Sequence, residues 1–298
     1  MKKKIGFGTW CFIFDPYDKN PVPFLEVLNK AQELGFNGIS LSGEYAGVDE
    51  YKSKSERRKL VKILNDRDLE VAEYDANLRA LNPLFQPNTY LQIFERNIQF
   101  MADCGFQTMR IDTRVKPTFL IKEDYERCWG IMVDLFQKAS RIASREGITL
   151  ALEFEPGFIF NSTSEIIKLY NDVGENNFTL EFDSTHANLI TRYGTMQPGK
   201  KEILKGGIPE MLKKMKNMIG MVHLIDNDGS LYKDITSMHI PFGKGEINFD
   251  DVLKSLRDDA KYDGEWWIVD LVFNSNAWHL LKESRDYLIK MNEIYGDY

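Results

Sequence analysis

Eight short β-type runs recur along the chain, with stretches of helical character between them. The runs are KIGFGTW, GISLS, EVAEYD, TMRIDT, TLALEFE, FTLEFD, GMVHLID and WWIVDLVF, set roughly 30 to 45 residues apart. Between them, PFLEVLNKAQELG, YERCWGIMVDLFQKASRIASREG and FDDVLKSLRD place apolar residues three and four apart, the period of an amphipathic helix. Ser162 and Glu165 form a capping box ahead of the apolar face of NSTSEIIKLY. Glycines close helices in ELGFNG, DCGF and REGIT. Strands that alternate with helices must lie parallel, and eight such units predict a closed (β/α)8 TIM barrel rather than an open sheet. No linker or low-complexity tract divides the chain, so residues 1–298 are expected to form a single domain. No glycine-rich phosphate loop opens a helix, which weighs against a nucleotide-binding sheet.

The charge balance narrows the partners. A formal net charge of −7 opposes binding to a nucleic acid backbone. Cys11, Cys104 and Cys128 are odd in number and lack metal-type spacing, so they read as free thiols of a reducing compartment. The basic start MKKKIGFGTWCFIFDP resembles a leader only superficially, because Gly and Thr break its apolar run and no small-residue cleavage site follows. No apolar run approaches the roughly eighteen residues of a membrane span. A cytoplasmic protein acting on a small molecule, with neither nucleic acid nor membrane as partner, is the expectation. Oligomeric state and the presence of a partner subunit are left open.

Strand alternation locates the chemistry. In TLALEFE, Leu150, Leu152 and Phe154 share one face, leaving Ala151, Glu153 and Glu155 on the other. In FTLEFD, Phe178, Leu180 and Phe182 oppose Thr179, Glu181 and Asp183. His223 opposes Val222 and Leu224, and Asp270 opposes Val269 and Leu271. With the apolar faces turned to the helices, the last four strands end inward in Glu153, Asp183, His223 and Asp270, at the C-terminal mouth where barrel active sites are built. Three carboxylates gathered without a counter-charge would repel. One divalent cation resolves the conflict, and the donor set suits Mn²⁺ first, with Mg²⁺, Co²⁺ or Zn²⁺ as alternatives.

Further candidates lie nearby. His186 reaches the mouth if the chain turns at Ser184-Thr185. His239, in HIPFGKGEINFDD, is a loop residue or a site residue. Asp226 follows His223 closely enough to touch a ligand, and Glu155 is either a second inward acid or a loop residue. Trp10 and Phe12 are candidates for an apolar wall, whereas His279 falls in an expected outer helix. No paired arginine cluster announces phosphate recognition.

The segments LALEFEPG, LEFDSTHANL, MVHLIDNDG and HIPFGKGEINFDDVLKSL resemble the signatures of the xylose isomerase-like TIM-barrel superfamily, most specifically over 148–273. That superfamily includes sugar isomerases and epimerases, inosose dehydratases and the endonuclease IV type of repair enzyme. In its sugar epimerase branch a divalent ion is held by Glu, Asp, His and Glu. The resemblance carries this role to Glu153, Asp183 and His223, while Asp270 stands where that branch has Glu. The arginine that ketose epimerases place six residues beyond the histidine is here Gly229. The runs GISLSGEY and EVAEYDANL lack the additional histidines of the endonuclease branch. The resemblance implies isomerisation or epimerisation of a sugar-like substrate by proton abstraction next to a carbonyl. Glu153 and Asp270 would serve as base and acid, with His186 hydrogen-bonded to the reacting oxygen. Elimination of a β-substituent from a keto-sugar or keto-glycoside is the alternative, favoured by the shorter Asp270. A non-catalytic sugar-binding or partner subunit is the third reading.

Overall fold

Each of the eight runs forms a strand, and together they close a parallel barrel. The computed structural model describes residues 2–76, 78 and 81–297. The barrel strands are β1 (Lys4–Gly8), β2 (Gly38–Ser42), β3 (Glu70–Asp75), β4 (Thr108–Ile111), β5 (Thr149–Glu153), β6 (Phe178–Asp183), β7 (Ile219–Leu224) and β10 (Trp266–Val269). Around the barrel each strand neighbours the next in sequence, and β10 closes against β1. A two-stranded antiparallel hairpin, β8 (Leu231–Tyr232) and β9 (Thr236–Ser237), lies in the connection after β7.

Nine helices occupy the described connections: α1 (Phe24–Leu34), α2 (Lys54–Asn65), α3 (Pro87–Cys104), α4 (Tyr125–Ser144), α5 (Thr163–Val173), α6 (Ser184–Tyr193), α7 (Gly207–Lys214), α8 (Phe249–Asp258) and α9 (Ala277–Tyr295). The Ser162–Glu165 capping box starts α5 as its sequence predicts. Gly35, Gly105 and Gly147 adopt φ of 75, 76 and 70° where α1, α3 and α4 end, a left-handed conformation that glycine takes without a Cβ penalty. No helix of the described residues is long and apolar enough to cross a membrane.

The alternation of each strand divides two environments. Phe7, Ile39, Leu41, Tyr74, Leu150, Phe182, Val222 and Val269 face the helices and are fully buried. Inside the barrel, Ala72, Ala151, Met221, Trp266 and Ile268 form the apolar lower layer. Above them the interior turns polar. Register aligns Glu153 with Glu181, Asp183 with His223, and His223 with Ile268. The site therefore grows from neighbouring strand ends, with Asp270 just beyond β10.

The first run ends earlier than its composition suggests. After Gly8 the chain turns into a short 3-10 helix, Thr9–Phe12. Phe12 does not line the mouth: it is buried and stacks on Trp278 of α9, ring centroids 3.8 Å apart. Trp10 instead folds back across the barrel end. A Cβ on Gly8 would lie 2.2 Å from the Trp10 ring, so only glycine leaves room for the indole. Substituting Gly8→Ala is expected to displace Trp10 and break its bond to Asp270, measured as a changed near-UV circular dichroism signal and weakened metal binding.

Candidate active site

Glu153, Asp183, His223 and Asp270 meet at the mouth, all buried, with one donor atom from each lying within 4.8 Å of the others. Each side chain is held from behind by a different partner. Asp183 caps α6, its Oδ1 accepting from the backbone N–H groups of Thr185 (2.7 Å) and His186 (2.9 Å). Trp10 Nε1 donates to Asp270 Oδ1 at 2.6 Å. Arg110 at the end of β4 donates through Nε (2.6 Å) and Nη2 to Glu153 Oε2. His223 Nε2 pairs with the Glu73 carboxylate, which also accepts from Ser40 Oγ at 2.7 Å. The other donor of each faces the centre: His223 Nδ1 lies 3.7 Å from Glu153 Oε1 and 3.8 Å from Asp270 Oδ2.

Two buried atoms of this centre, His223 Nδ1 and Asp183 Oδ2, have no hydrogen-bond partner among the described residues, although Glu181 Oε1 lies 3.2 Å from His223 Nδ1. Orphaned buried polar atoms cost roughly 1–3 kcal/mol each, and a cation that displaces the proton of His223 Nδ1 and sits among three carboxylates and an imidazole satisfies both. The cluster fits a divalent cation. Glu73 then supplies the outer hydrogen bond that orients a metal-binding histidine.

The electrostatics below the centre are uneven. Burial pushes Glu181 up, and the neighbouring Glu73 charge adds to it, holding Glu181 well above the ordinary carboxylate range. Burial would raise Glu73 as well, but the charge and hydrogen bond of His223 outweigh it and hold Glu73 low. For His223, burial acts downward and is overcome by Glu181 and Glu73, which raise it to about 10. One negative charge is thus concentrated on Glu73, under the histidine.

Arg110 is the principal residue absent from the sequence-based set. Besides Glu153, it reaches Asp75, Asp112 and Glu155, each at 3.2 Å. The signal was present in TMRIDT, where Arg110 alternates with the outward Met109 and Ile111, and in EVAEYD, where Glu73 and Asp75 alternate with Tyr74. Arg114 also lines the cavity, paired with Asp112. Two arginines therefore approach the mouth after all, each already engaged by carboxylates.

The remaining candidates sort by position. His186 sits in the first turn of α6; its Nδ1 pairs with the Ser237 hydroxyl and its Nε2 lies 3.6 Å from Glu153 Oε1. His239 is in the site: Nδ1 contacts the Ser237 carbonyl at 2.9 Å and Nε2 lies 3.3 Å from Asp270 Oδ2. Burial would lower His239, but the charge and hydrogen bond of Asp270 raise it. Asp270 is held low in return, against its own burial, first by His239 and then by His223 and Trp10. Glu155 lines the cavity and accepts from Arg110 (3.2 Å) and Thr236 (2.7 Å). His279 lies on outer helix α9, 3.3 Å from Glu283.

Asp226 is engaged by its own loop. Its carboxylate accepts from the backbone N–H groups of Asn227, Gly243 and Gly245 (2.9 Å each) and Ile247 (3.2 Å). It knots the loop after the hairpin and is not among the residues lining the cavity. Asp226→Ala is expected to cost about 2–4 kcal/mol by stranding these donors, read from the urea unfolding midpoint.

A cavity of about 390 Å³ opens over the centre. Glu153, Asp270, His186, His239 and Arg110 are among its polar lining; Trp10, Phe14, Phe158, Tyr232, Ile235, Val272 and Phe273 supply apolar surface.

A parallel eight-stranded barrel with this cluster at its mouth defines a class, and comparison with known proteins places the chain within it. The chain belongs to the xylose isomerase-like TIM barrel family, whose model matches residues 28–291. The match covers about half the length of two curated relatives, and 88% of a third, a protein of Methanocaldococcus jannaschii that is 24% identical over 269 residues. One, an inosose dehydratase of Clostridium perfringens, is 26% identical over 151 residues, covering 47% of this chain and 46% of that protein. Among solved structures, a D-tagatose 3-epimerase-like protein superposes with a TM-score of 0.73 at 20% identity, covering 98% of both chains. The IolI protein with a bound zinc atom gives a TM-score of 0.72 at 16% identity, covering 99% of this chain and 100% of that one.

Proposed function

We propose that the protein is a divalent-metal-dependent isomerase or epimerase that moves a proton next to the carbonyl of a sugar-like hydroxy-ketone. The observation that carries this reading is the set of four inward donors, each tethered from behind, two of which present orphaned buried atoms. The names of the similar proteins, an epimerase-like protein and an inosose dehydratase, belong to the same carbonyl-adjacent chemistry.

Glu153, Asp183, His223 and Asp270 would hold the ion. When bound, it supplies Lewis-acid polarisation of the carbonyl and stabilises the negative charge that develops there. Mn²⁺ is the first choice for this oxygen-rich set, with Zn²⁺, found in IolI, as an alternative. The chain's own groups carry the proton. Glu153 Oε1, the oxygen that Arg110 does not hold, takes the proton from carbon. Asp270 Oδ2 faces the centre beside His239 Nε2, which carries the proton of the pair. In the epimerase direction that proton passes from His239 through Asp270 to carbon, leaving His239 neutral until Glu153 gives its own proton back to solvent. His186 Nε2 donates to the reacting oxygen. The aromatic wall excludes water, strengthening each of these interactions.

A second reading has its own observation. His239 carries a raised affinity for its proton and abuts Asp270, which suits it to protonate a leaving oxygen. The first proton abstraction would then end in elimination, as a dehydratase.

Incubation of protein loaded with Mn²⁺ in D₂O with free ketoses, inososes and keto-glucosides tests both. Deuterium at carbon without loss of a group is expected for isomerisation, and an unsaturated product for elimination. Absence of exchange and of product with every metal would overturn the enzymatic reading. Metal analysis should find one equivalent bound. Saturation to a hundredfold over Kd should stabilise the fold by about 2.7 kcal/mol, and chelation should reverse the gain and stop exchange.

A further inference from the structure

We infer that the substrate is amphipathic: a hydroxy-ketone end seated on the polar floor, joined to an apolar alkyl or aryl substituent held under the β8–β9 hairpin. The inference deepens the proposed reaction and rests on it. The cavity is two-sided. Its floor carries the carboxylates and imidazoles already described, while its outer wall is built from Trp10, Phe14, Tyr232, Ile235, Val272 and Phe273. Tyr232 and Phe273 stack at 3.7 Å with 8° between their planes, forming one flat aromatic panel.

The hairpin is fastened on three sides. The Tyr232 hydroxyl and Lys233 both bond Asp15 in the loop after β1. Thr236 bonds Glu155 beyond β5, and the Ile235 carbonyl packs so closely on Gly157 that a Cβ there would lie 1.9 Å away. Ser237 is taken by Thr185 and His186. These bonds engage the polar side-chain groups of Tyr232, Lys233, Thr236 and Ser237, and Asp234 is not among the residues lining the cavity. What it turns toward the cavity is ring and methyl surface; Ile235 is 49% exposed.

That distribution discriminates among substrates. A hydroxyl pressed against this panel loses water without a replacement partner, which weakens binding. A methylene in the same place gains by leaving water. A fully hydroxylated monosaccharide matches the floor and mismatches the roof. A keto-sugar bearing an apolar aglycone matches both.

The test is calorimetric titration of the Mn²⁺-loaded protein with methyl, hexyl and phenyl 3-keto-β-D-glucopyranosides. The hexyl and phenyl compounds should bind about 30-fold more tightly than the methyl compound, the scale of burying one apolar side chain. Equal affinities within threefold, or no binding of any of the three, would overturn the inference. In the first case, metal-dependent deuterium exchange into the methyl compound would show that the proposed reaction survives the failed inference. The double variant Y232A/F273A should bring the phenyl-to-methyl ratio close to one. Ile235→Ser, at an exposed position where folding is tolerant, should lower that ratio about threefold; an unchanged ratio in a folded Ile235→Ser protein counts against the inference.

Discussion

Arg110→Met is expected to destabilise the metal-free protein by about 3–5 kcal/mol, the cost of removing one partner from a buried ionic cluster. Arg110 is 8% exposed and faces Asp75, Asp112, Glu153 and Glu155, with Glu181 Oε1 3.8 Å from its Nε. Methionine fills much of the same volume, so lost packing contributes little and the loss measures uncompensated negative charge. Arg110→Lys should recover only part of it, since an ammonium lacks the planar fork that serves several carboxylates at once. Saturating Mn²⁺ should shrink the deficit in both variants by restoring positive charge among the same groups. The measurement is the urea midpoint with and without chelator. A change below about 0.5 kcal/mol in Arg110→Met would mean the carboxylates are neutral or hydrated, and the charge map drawn for this mouth would be wrong.

Glu153→Gln should lower solvent deuterium exchange into substrate by about 10³-fold, within the span attributed to one positioned proton-transfer group. The amide keeps an oxygen that Arg110 can hold, so the fold should survive, checked by an unchanged far-UV spectrum. Its companion Asp270→Asn separates the two reactions. An epimerase needs the second carboxylate to return a proton, and exchange into product should fall comparably. An elimination that uses His239 as acid should retain abstraction at Glu153 and lose chiefly the later step. Activity of Glu153→Gln within tenfold of the parent would remove Glu153 from the role of base.

The barrel was legible because its strands obey a strict period of two and their outward faces are continuous Val, Ile, Leu and Phe. The inward acids of β5 and β6 and the inward histidine of β7 emerge from the same rule, as does Asp270 just past β10. Applied to β3 and β4, it would also have placed Glu73, Asp75 and Arg110 inside. Neither strand carries a histidine, and in EVAEYD and TMRIDT the inward acids alternate with an inward arginine, a pattern that also fits a buried ion pair. The surroundings of Asp226 are illegible for a different reason. Its fate depends on four N–H groups, three of them from a loop some twenty residues on, and loop closure of that kind leaves no periodic trace. The aromatic roof was equally opaque, since Phe14, Tyr232 and Phe273 come from three separate loops and meet only once the barrel is closed. Phe12 shows the converse: two positions from Trp10, it turns to the opposite side because a 3-10 turn, not a strand, follows Gly8.

Every donor at the mouth is fastened by something other than the ion: a helix start, an indole, a guanidinium, a second carboxylate. The scaffold can therefore be assembled first and metallated afterwards, and the ion becomes an exchangeable part rather than a folding nucleus. A metal bound there would then be selected by the donor set and by supply, and the polypeptide is expected to be emptied and refilled without passing through an unfolded state.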